Sequence, residues 1–200
     1  STPDASNSAQ GRFNPNEDAA LIEGRVQRDL SENHGGIVVE MVDGQASAIS
    51  TSDGRFQIPV PVPSETIVGD ESGNGGEATV TLRFSAEGYE TVERAVTVTS
   101  GDTTTLDATV VLPPKPGILR GRLAFPIGLS SADFIDALEL VLKPSTGESI
   151  DGVVDEMGSY TFEDLLPDSY RLDVSGGPFV PVGVSVVVGP GLEVDAPDIT

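Results

Sequence analysis

Two stretches decide the fold: "TSDGRFQIPV" (51–60) and "DEMGSYTFEDL" (155–165). Each is a short polar turn with a glycine, followed by a segment in which large apolar residues occupy every second position. Side chains alternate between the two faces of a β-strand, so this spacing predicts a strand with one buried face. The same turn-into-strand sequence therefore occurs twice in one chain.

The rest of the chain aligns with itself around these two stretches. "LIEGRVQ" (21–27) matches "ILRGRLA" (118–124), and three further blocks match in the same order. Those blocks are 36–44 with 137–147, 51–60 with 155–165, and 78–113 with 168–200. The alignment places Gly24 over Gly121, Gly54 over Gly158 and Phe56 over Tyr160. Four matches in one order predict a tandem duplication.

Period-two alternation indicates which side chains form the core. The set predicted to face inward is Phe56, Val80, Leu82, Phe84, Tyr160, Phe162, Tyr170, Leu172, Val174, Val180, Val182, Val184, Val186 and Val188. Many short strands separated by glycine turns are typical of antiparallel sandwiches. We therefore predict an all-β chain of two tandem Greek-key β-sandwiches, Ig-like or prealbumin-like.

Composition sets the predicted domain boundaries. Residues 1–20 are mostly polar and are expected to form a disordered linker, because they cannot bury enough surface to offset the entropy of ordering. The first sandwich is predicted over 21–113, a Pro-rich linker over 114–117 and the second sandwich over 118–200. One short helix is expected near 131–137, where Ser and Asp residues precede an apolar face.

The chain of 200 residues has 11 Lys and Arg against 32 Asp and Glu, a net charge of −21. Such a surface is repelled by phosphate backbones and anionic lipid, so we expect no nucleic-acid partner. There is no cysteine, and no apolar run approaches the length of a membrane span, so direct membrane insertion is not expected. The acidity itself has three open explanations: solubility, Ca²⁺ binding, or adaptation to high salt.

Few residues are candidates for chemistry, and we predict no catalytic, cofactor or metal site. His34 is the single histidine and lies in a loop-like segment, so triad or zinc chemistry is not expected. The segment 68–80 offers Asp70, Glu71, Asn74 and Glu77 as oxygen ligands for Ca²⁺, but it fits no EF-hand spacing. Carbohydrate binding would need exposed aromatic rings, and Tyr89 and Phe179 are the plausible ones. Carbohydrate and Ca²⁺ are therefore possible ligands without direct support.

Several of these motifs together resemble the carboxypeptidase regulatory-like domains. The resemblance rests on the opening strand at 21–26, the turn with Thr51, Asp53, Gly54 and Phe56, the pair Gly88-Tyr89, and a closing strand after Gly101. It implies a transthyretin-like or starch-binding-like sandwich in an extracytoplasmic protein of the bacterial cell surface, periplasm or secreted fraction. It further implies a non-catalytic structural or adhesive module that contacts other envelope proteins or domains of a longer chain. The alternative is a module that binds carbohydrate or Ca²⁺ at a loop pole.

Overall fold

The computed structural model describes residues 19–62, 77–134 and 137–200. These residues form two compact units. The first comprises described residues within 1–27, 33–85 and 91–111, and the second comprises 28–32, 86–90 and those within 112–200. Within the described part of the chain, no helix is long and apolar enough to cross a membrane.

Eight strands lie among the described residues between 19 and 112. They are β1 (Ala19–Arg28), β2 (Val38–Met41), β3 (Ser47–Ile49), β4 (Arg55–Pro61), β5 (Glu77–Ser85), β6 (Val92–Thr99), β7 (Thr103–Thr105) and β8 (Val110–Leu112). They form two sheets, one with the order β4-β1-β7, in which β8 also pairs with β1, and one with the order β3-β2-β5-β6.

The second half of the chain repeats this order. Its strands are β9 (Gly117–Arg122), β10 (Glu139–Pro144), β11 (Ile150–Asp151), β12 (Ser159–Leu165), β13 (Asp168–Gly176), β14 (Phe179–Val188) and β15 (Glu193–Asp195). The sheets have the orders β12-β9-β15 and β11-β10-β13-β14. Strand for strand, these orders are those of β1 to β7, and the prediction of all-β sandwiches is confirmed.

In each unit the first strand has a parallel neighbour. β1 runs parallel to β7, with Leu21 opposite Thr103, and β9 runs parallel to β15, with Ile118 opposite Glu193. In both units the first and last strands of the motif are neighbours in the same sheet. Period-two alternation carries no information about strand direction, so the sequence did not predict this pairing.

The turns before β4 and β12 have the same backbone geometry. Gly54 and Gly158 have positive φ values of 81° and 86°. The carbonyl of Gly54 accepts a hydrogen bond from Val26 N at 2.8 Å, and that of Gly158 accepts one from Leu123 N at 2.8 Å. Gly24 pairs with Phe56 and Gly121 with Tyr160. The aligned residues thus occupy equivalent positions.

Most of the predicted core is buried. The five aromatic residues predicted to face inward, Phe56, Phe84, Tyr160, Phe162 and Tyr170, are at most 5% exposed. The prediction that Val180 and Val182 face the core is wrong, because both are exposed. Tyr89 and Phe179, the aromatic residues considered as candidates for carbohydrate stacking, are buried. The pairing of β13 with β14 is irregular between Val174 and Gly176, so the start of β14 does not continue the inward alternation.

The predicted linkers and the predicted helix can be compared with the observed elements. Ala19 and Ala20, at the end of the predicted linker 1–20, belong to β1, and Ala20 is buried because it faces the core; the preceding residues lie outside the described part. In the predicted linker 114–117, Lys115 N donates to Gly88 O at 2.8 Å, and Gly117 begins β9. The helix expected at 131–137 is a 3-10 turn at Ser131–Phe134, and residues 135 and 136 lie outside the described residues.

Candidate functional site: a cleft beside the first strand of each unit

The first unit has a cleft of about 700 Å³ beside β1, β4 and the segment that follows β7. Its charged lining includes Glu23 and Arg25 from β1, Arg55 from β4, and Asp53 from the turn before β4. Glu23 and Arg25 are two residues apart on one strand, so their side chains leave the sheet on the same face. The alternation of β1 therefore places polar groups here while Ile22 and Val26 enter the core.

Hydrogen bonds hold most of these polar groups in place. Glu23 accepts from Gln57 Nε2 at 3.2 Å and from Thr105 Oγ1 at 3.0 Å, which joins three strands through one carboxylate. Asp53 accepts from Thr51 Oγ1 at 2.5 Å and pairs with Arg55 Nε at 3.0 Å. The hydrogen bond from Thr51, aided by the backbone and charge of Arg55, lowers the pKa of Asp53 below its ordinary value. Both carboxylates are thus engaged within the protein.

Behind the cleft, on the face of β1 that Ile22 and Val26 share, Gly24 and Leu106 approach each other closely. A Cβ atom on Gly24 would lie 3.0 Å from Leu106 Cβ, closer than ordinary packing. The backbone of Leu106 is fixed by its N–H, which donates to Glu23 O at 2.9 Å. Glycine at position 24 leaves the space that the Leu106 side chain occupies.

The second unit has a cleft of about 340 Å³ at the equivalent place. It is lined by Gly121 and Arg122, which correspond to Gly24 and Arg25, and by Tyr160, which corresponds to Phe56. Arg120 stands where Glu23 stands in the first unit and forms an ion pair with Glu193. The sequence repeat "GR" thus marks the same structural position twice.

Tyr160 fills the space over Gly121. A Cβ atom on Gly121 would lie 2.1 Å from the Tyr160 hydroxyl oxygen, so only glycine is compatible with this ring position. The hydroxyl is buried and has no hydrogen-bond partner among the described residues. Burial, followed by the nearby charge of Asp198, raises the pKa of Tyr160 to about 12.

The two clefts share packing but not polar chemistry. Glu23 is replaced by Arg120, Thr105 by Asp195 and Arg55 by Ser159 at equivalent positions. A ligand recognised by the charges of one cleft would meet different charges in the other. What recurs is a glycine on the first strand and a bulky side chain packed over it, which is a structural device and not a shared set of reactive groups.

Of the other candidate residues, His34 and Glu77 lie within the described part of the chain and do not line either cleft. His34 lies in the loop before β2, where its carbonyl accepts from Ser50 Oγ at 2.6 Å and its N–H donates to Ser52 O at 3.1 Å. Of the predicted oxygen cluster, Glu77 is the exposed first residue of β5, while Asp70, Glu71 and Asn74 lie outside the described residues. No group of three or more potential metal ligands occurs within 19–62, 77–134 and 137–200.

Two polar arrangements were not predicted from the sequence. Ser50 is buried and links two segments, since its hydroxyl donates to His34 O and accepts from Ile37 N at 2.9 Å. On the outer face of the second unit, Asp173 pairs with Lys143 at 2.8 Å and with Arg171 at 2.7 Å. The second arrangement could have been found, because Arg171 and Asp173 are two residues apart on an alternating strand.

No protein-family model matches the sequence, and no curated protein matches it either. Among solved structures, the TIE protein of Bacillus anthracis aligns with 90% of this chain and 34% of its own, with 13% identity and a TM-score of 0.50. GBS52, the minor pilin of Streptococcus agalactiae, aligns with 91% of this chain and 94% of its own, with 10% identity and a TM-score of 0.33. A type II cohesin–X-dockerin complex from Acetivibrio cellulolyticus has 22% identity over 46% of this chain and 56% of its own, with a TM-score of 0.33.

The similarity to the TIE protein is one of fold, because the identity of 13% is too low to transfer more. This chain spans about a third of the length of that protein, from the aligned share of 34%. The β-sandwich fold is therefore supported by the strand order, by the two buried cores and by a solved structure.

Proposed function

We propose that this chain is a non-catalytic structural or adhesive module of a bacterial cell-envelope or secreted protein. In this proposal each unit is a spacer that transmits tension between other parts of an extracytoplasmic protein. The domain boundaries 21–113 and 118–200, the tandem duplication and the likeness to carboxypeptidase regulatory-like domains belong to the same proposal. The shared strand order of the two units supports it.

The observation that carries the proposal is the parallel pairing of the first and last strands. β1 and β7 are joined over Leu21–Thr103, Ile22–Thr104 and Glu23–Thr105, and β8 continues along β1. β9 and β15 are joined in the same way from Ile118 to Arg120. Tension applied at the two ends of such a unit pulls parallel strands past each other, so several hydrogen bonds bear the force together instead of breaking one by one.

Backbone bonds extend this parallel pair beyond its ladder. Leu21 N donates to Asp102 O at 2.9 Å, and Leu106 N donates to Glu23 O at 2.9 Å. In the second unit, Ile118 N donates to Leu192 O at 2.9 Å, and Ala196 N donates to Arg120 O at 2.7 Å. In both units, backbone hydrogen bonds therefore join the first and last strands just before and just after their paired residues.

Single-molecule force spectroscopy on the full chain, held at its two ends, tests this proposal. Leu106→Pro removes the N–H that bonds Glu23 O, and Leu106→Ala removes the same side chain but keeps that N–H. We expect the first unit of Leu106→Pro to rupture at a clearly lower force than that of Leu106→Ala. Equal rupture forces in the two variants would contradict a role for the parallel pair in resisting tension.

A further inference from the structure

β14 is a long strand with one unpaired edge. It lies at the end of the order β11-β10-β13-β14 and pairs with β13 from Asp168–Val188 to Val174–Val182, and again at Gly176–Phe179. No strand in the described part of the chain pairs with its other side. An unpaired edge presents backbone N–H and C=O groups that can bind another strand.

This edge lacks the features that protect the others. Its sequence "FVPVGVSVVV" has no charged residue, whereas the equivalent strand β6 carries Glu93 and Arg94. β3, β11 and β15 are at most three residues long, and β12 carries Glu163 and Asp164 with a register irregularity. Proteins normally block edges with short strands, charges or irregularities. β14 has Pro181 and an irregular register with β13 near its start, and neither interrupts the segment 182–188.

Apolar side chains of β14 are exposed on both of its faces. Val180 is 82% exposed and Val182 is 39% exposed on the face that is predicted to point inward, and Val187 is 69% exposed on the opposite face. Pro181 has no N–H to donate, so a continuous ladder with a partner is available along 182–188. The strand thus offers both backbone hydrogen bonds and apolar surface.

Charges of both signs lie beside β14 but not on it. The neighbouring strands β13 and β10 carry Arg171 and Lys143 together with Asp168, Asp173 and Glu139. Gly183 leaves room for them, since a Cβ atom there would lie 2.6 Å from both Arg171 Nε and Asp173 Oδ1. The ion pair of Arg171 and Asp173 therefore lies against the sheet face beside an uncharged edge.

We propose that β14 is the interface through which two copies of this chain associate, by antiparallel pairing of one β14 with the β14 of the second copy. Each copy carries a net charge of −21, so most approaches of two copies bring carboxylates together. Pairing about a two-fold axis places this strand against itself, where the facing groups are uncharged and apolar. The product is one continuous sheet of eight strands, four from each copy.

Sedimentation velocity of the full chain over a range of concentrations, at low and at high NaCl, is the test. We expect a monomer–dimer equilibrium that shifts toward the dimer at high NaCl, because salt screens the repulsion between the acidic copies. Val187→Lys places a charge on the edge strand and is expected to give a monomer at every concentration. Thr97→Lys is the matched control, because Thr97 is the exposed equivalent of Val187 on β6 and the added charge is the same; we expect it to dimerise like the wild type.

Hydrogen exchange supplies a second measurement on the same samples. Backbone amides within 182–188 should exchange more slowly in the wild type and in Thr97→Lys than in Val187→Lys at equal concentration. A wild-type monomer at all concentrations and salts would overturn the proposal. A dimer that persists in Val187→Lys, or slowed exchange confined to other strands, would also overturn it.

Discussion

At the scale of single residues, the two units fill the same space with different side chains. Over Gly24 lies Leu106, with Phe56 opposite on the paired strand; over Gly121 lies the hydroxyl end of Tyr160, while Ala196 replaces Leu106. The extra size of Tyr160 relative to Phe56 compensates for the smaller Ala196. The second unit thereby buries a polar group that has no partner among the described residues.

Removal of that hydroxyl is expected to stabilise the protein. A buried polar group without a hydrogen bond costs about 1–3 kcal/mol, so Tyr160→Phe should raise the free energy of unfolding by about 1 kcal/mol, the gain being reduced by the small void it leaves. Tyr170→Phe is the matched control, because Tyr170 donates its hydroxyl to Leu166 O at 2.8 Å and should lose about 1 kcal/mol. Urea denaturation of both variants measures the difference. A loss of stability in Tyr160→Phe comparable to that in Tyr170→Phe would contradict this account.

The same variant should change the response to alkaline pH. Because the pKa of Tyr160 is raised from 10.0 to about 12 in the fold, the unfolded chain releases this proton at lower pH than the folded one. Below pH 10 the tyrosine is protonated in both states and does not change the stability with pH; between pH 10 and 12 the unfolded chain ionises first, so the free energy of unfolding falls as pH rises. Stability should therefore fall more steeply over this range in the wild type than in Tyr160→Phe, as denaturation at a series of pH values would show.

The sequence predicted the burial of Tyr160 but not the state of its hydroxyl. Alternation along β12 places Tyr160 and Phe162 on the inner face, and the structure confirms both. Whether a tyrosine hydroxyl finds an acceptor depends on which backbone groups lie near the ring tip, and residues distant in sequence such as Asp198 supply those surroundings. The alternation of apolar residues along one strand contains no information about the groups that surround the hydroxyl.

At the scale of elements, the repeated turn is defined by one glycine in each unit. Gly54 has a positive φ of 81°, and a Cβ atom there would lie 2.2 Å from Val26 O; Val26 is itself bound to this turn, because its N–H donates to Gly54 O at 2.8 Å. Gly158 has the same relation to Leu123 O at 2.2 Å. The turn therefore brings its backbone against the end of the first strand, which fixes where the fourth strand of the motif begins.

Gly54→Ala is expected to be strongly destabilising for two reasons: the positive φ is unfavourable for alanine, and the added Cβ atom would clash with Val26 O. Gly44→Ala separates these two effects, because Gly44 has a similar φ of 76° but nothing within 4 Å of its Cβ position. Gly44→Ala should cost about 1–2 kcal/mol from backbone conformation alone. Gly54→Ala should cost more, because the clash with Val26 O requires the backbone to move. Thermal and urea denaturation of the two variants give the comparison, and equal losses would show that the close approach has no energetic role.

Strand positions were largely predictable, whereas strand partners were not. The alternation of β5 and β13 identified the inward residues Val80, Leu82, Phe84, Tyr170, Leu172 and Val174, all of which are buried. The parallel pairs and the exposed start of β14 arise from contacts between distant segments and from an irregular register near Gly176. The clefts were equally hidden, since each draws on residues from three separated segments of the chain.

At the scale of the whole molecule, two sets of buried residues contribute to stability. Phe56 belongs to the first unit, where its ring meets Phe84 edge-on with centroids 5.5 Å apart. Phe162 belongs to the core of the second unit, where it meets Tyr160 at 6.1 Å. Each ring therefore reports on one unit.

Truncation of either ring should destabilise the unit that contains it. Phe56→Ala and Phe162→Ala should each cost about 3–5 kcal/mol, the usual range for a buried phenylalanine. Gln57→Ala and Glu163→Ala, at the neighbouring exposed positions, should cost little. Calorimetry of the four variants checks this. If the units unfold independently, each phenylalanine variant should lower one transition and leave the other in place; small losses in both phenylalanine variants would show that the strand faces are assigned wrongly.

The parallel first and last strands also restrict how such a unit can be combined with other domains. In the first unit β7 runs in the same direction as β1 and lies beside it, with Leu21 opposite Thr103. The start of β1 and the end of its parallel neighbour therefore point toward opposite ends of the sheet and do not lie side by side. Domains that are inserted into a loop of a host protein need neighbouring ends. A unit of this kind is therefore suited to addition in series along a chain and poorly suited to insertion within another domain.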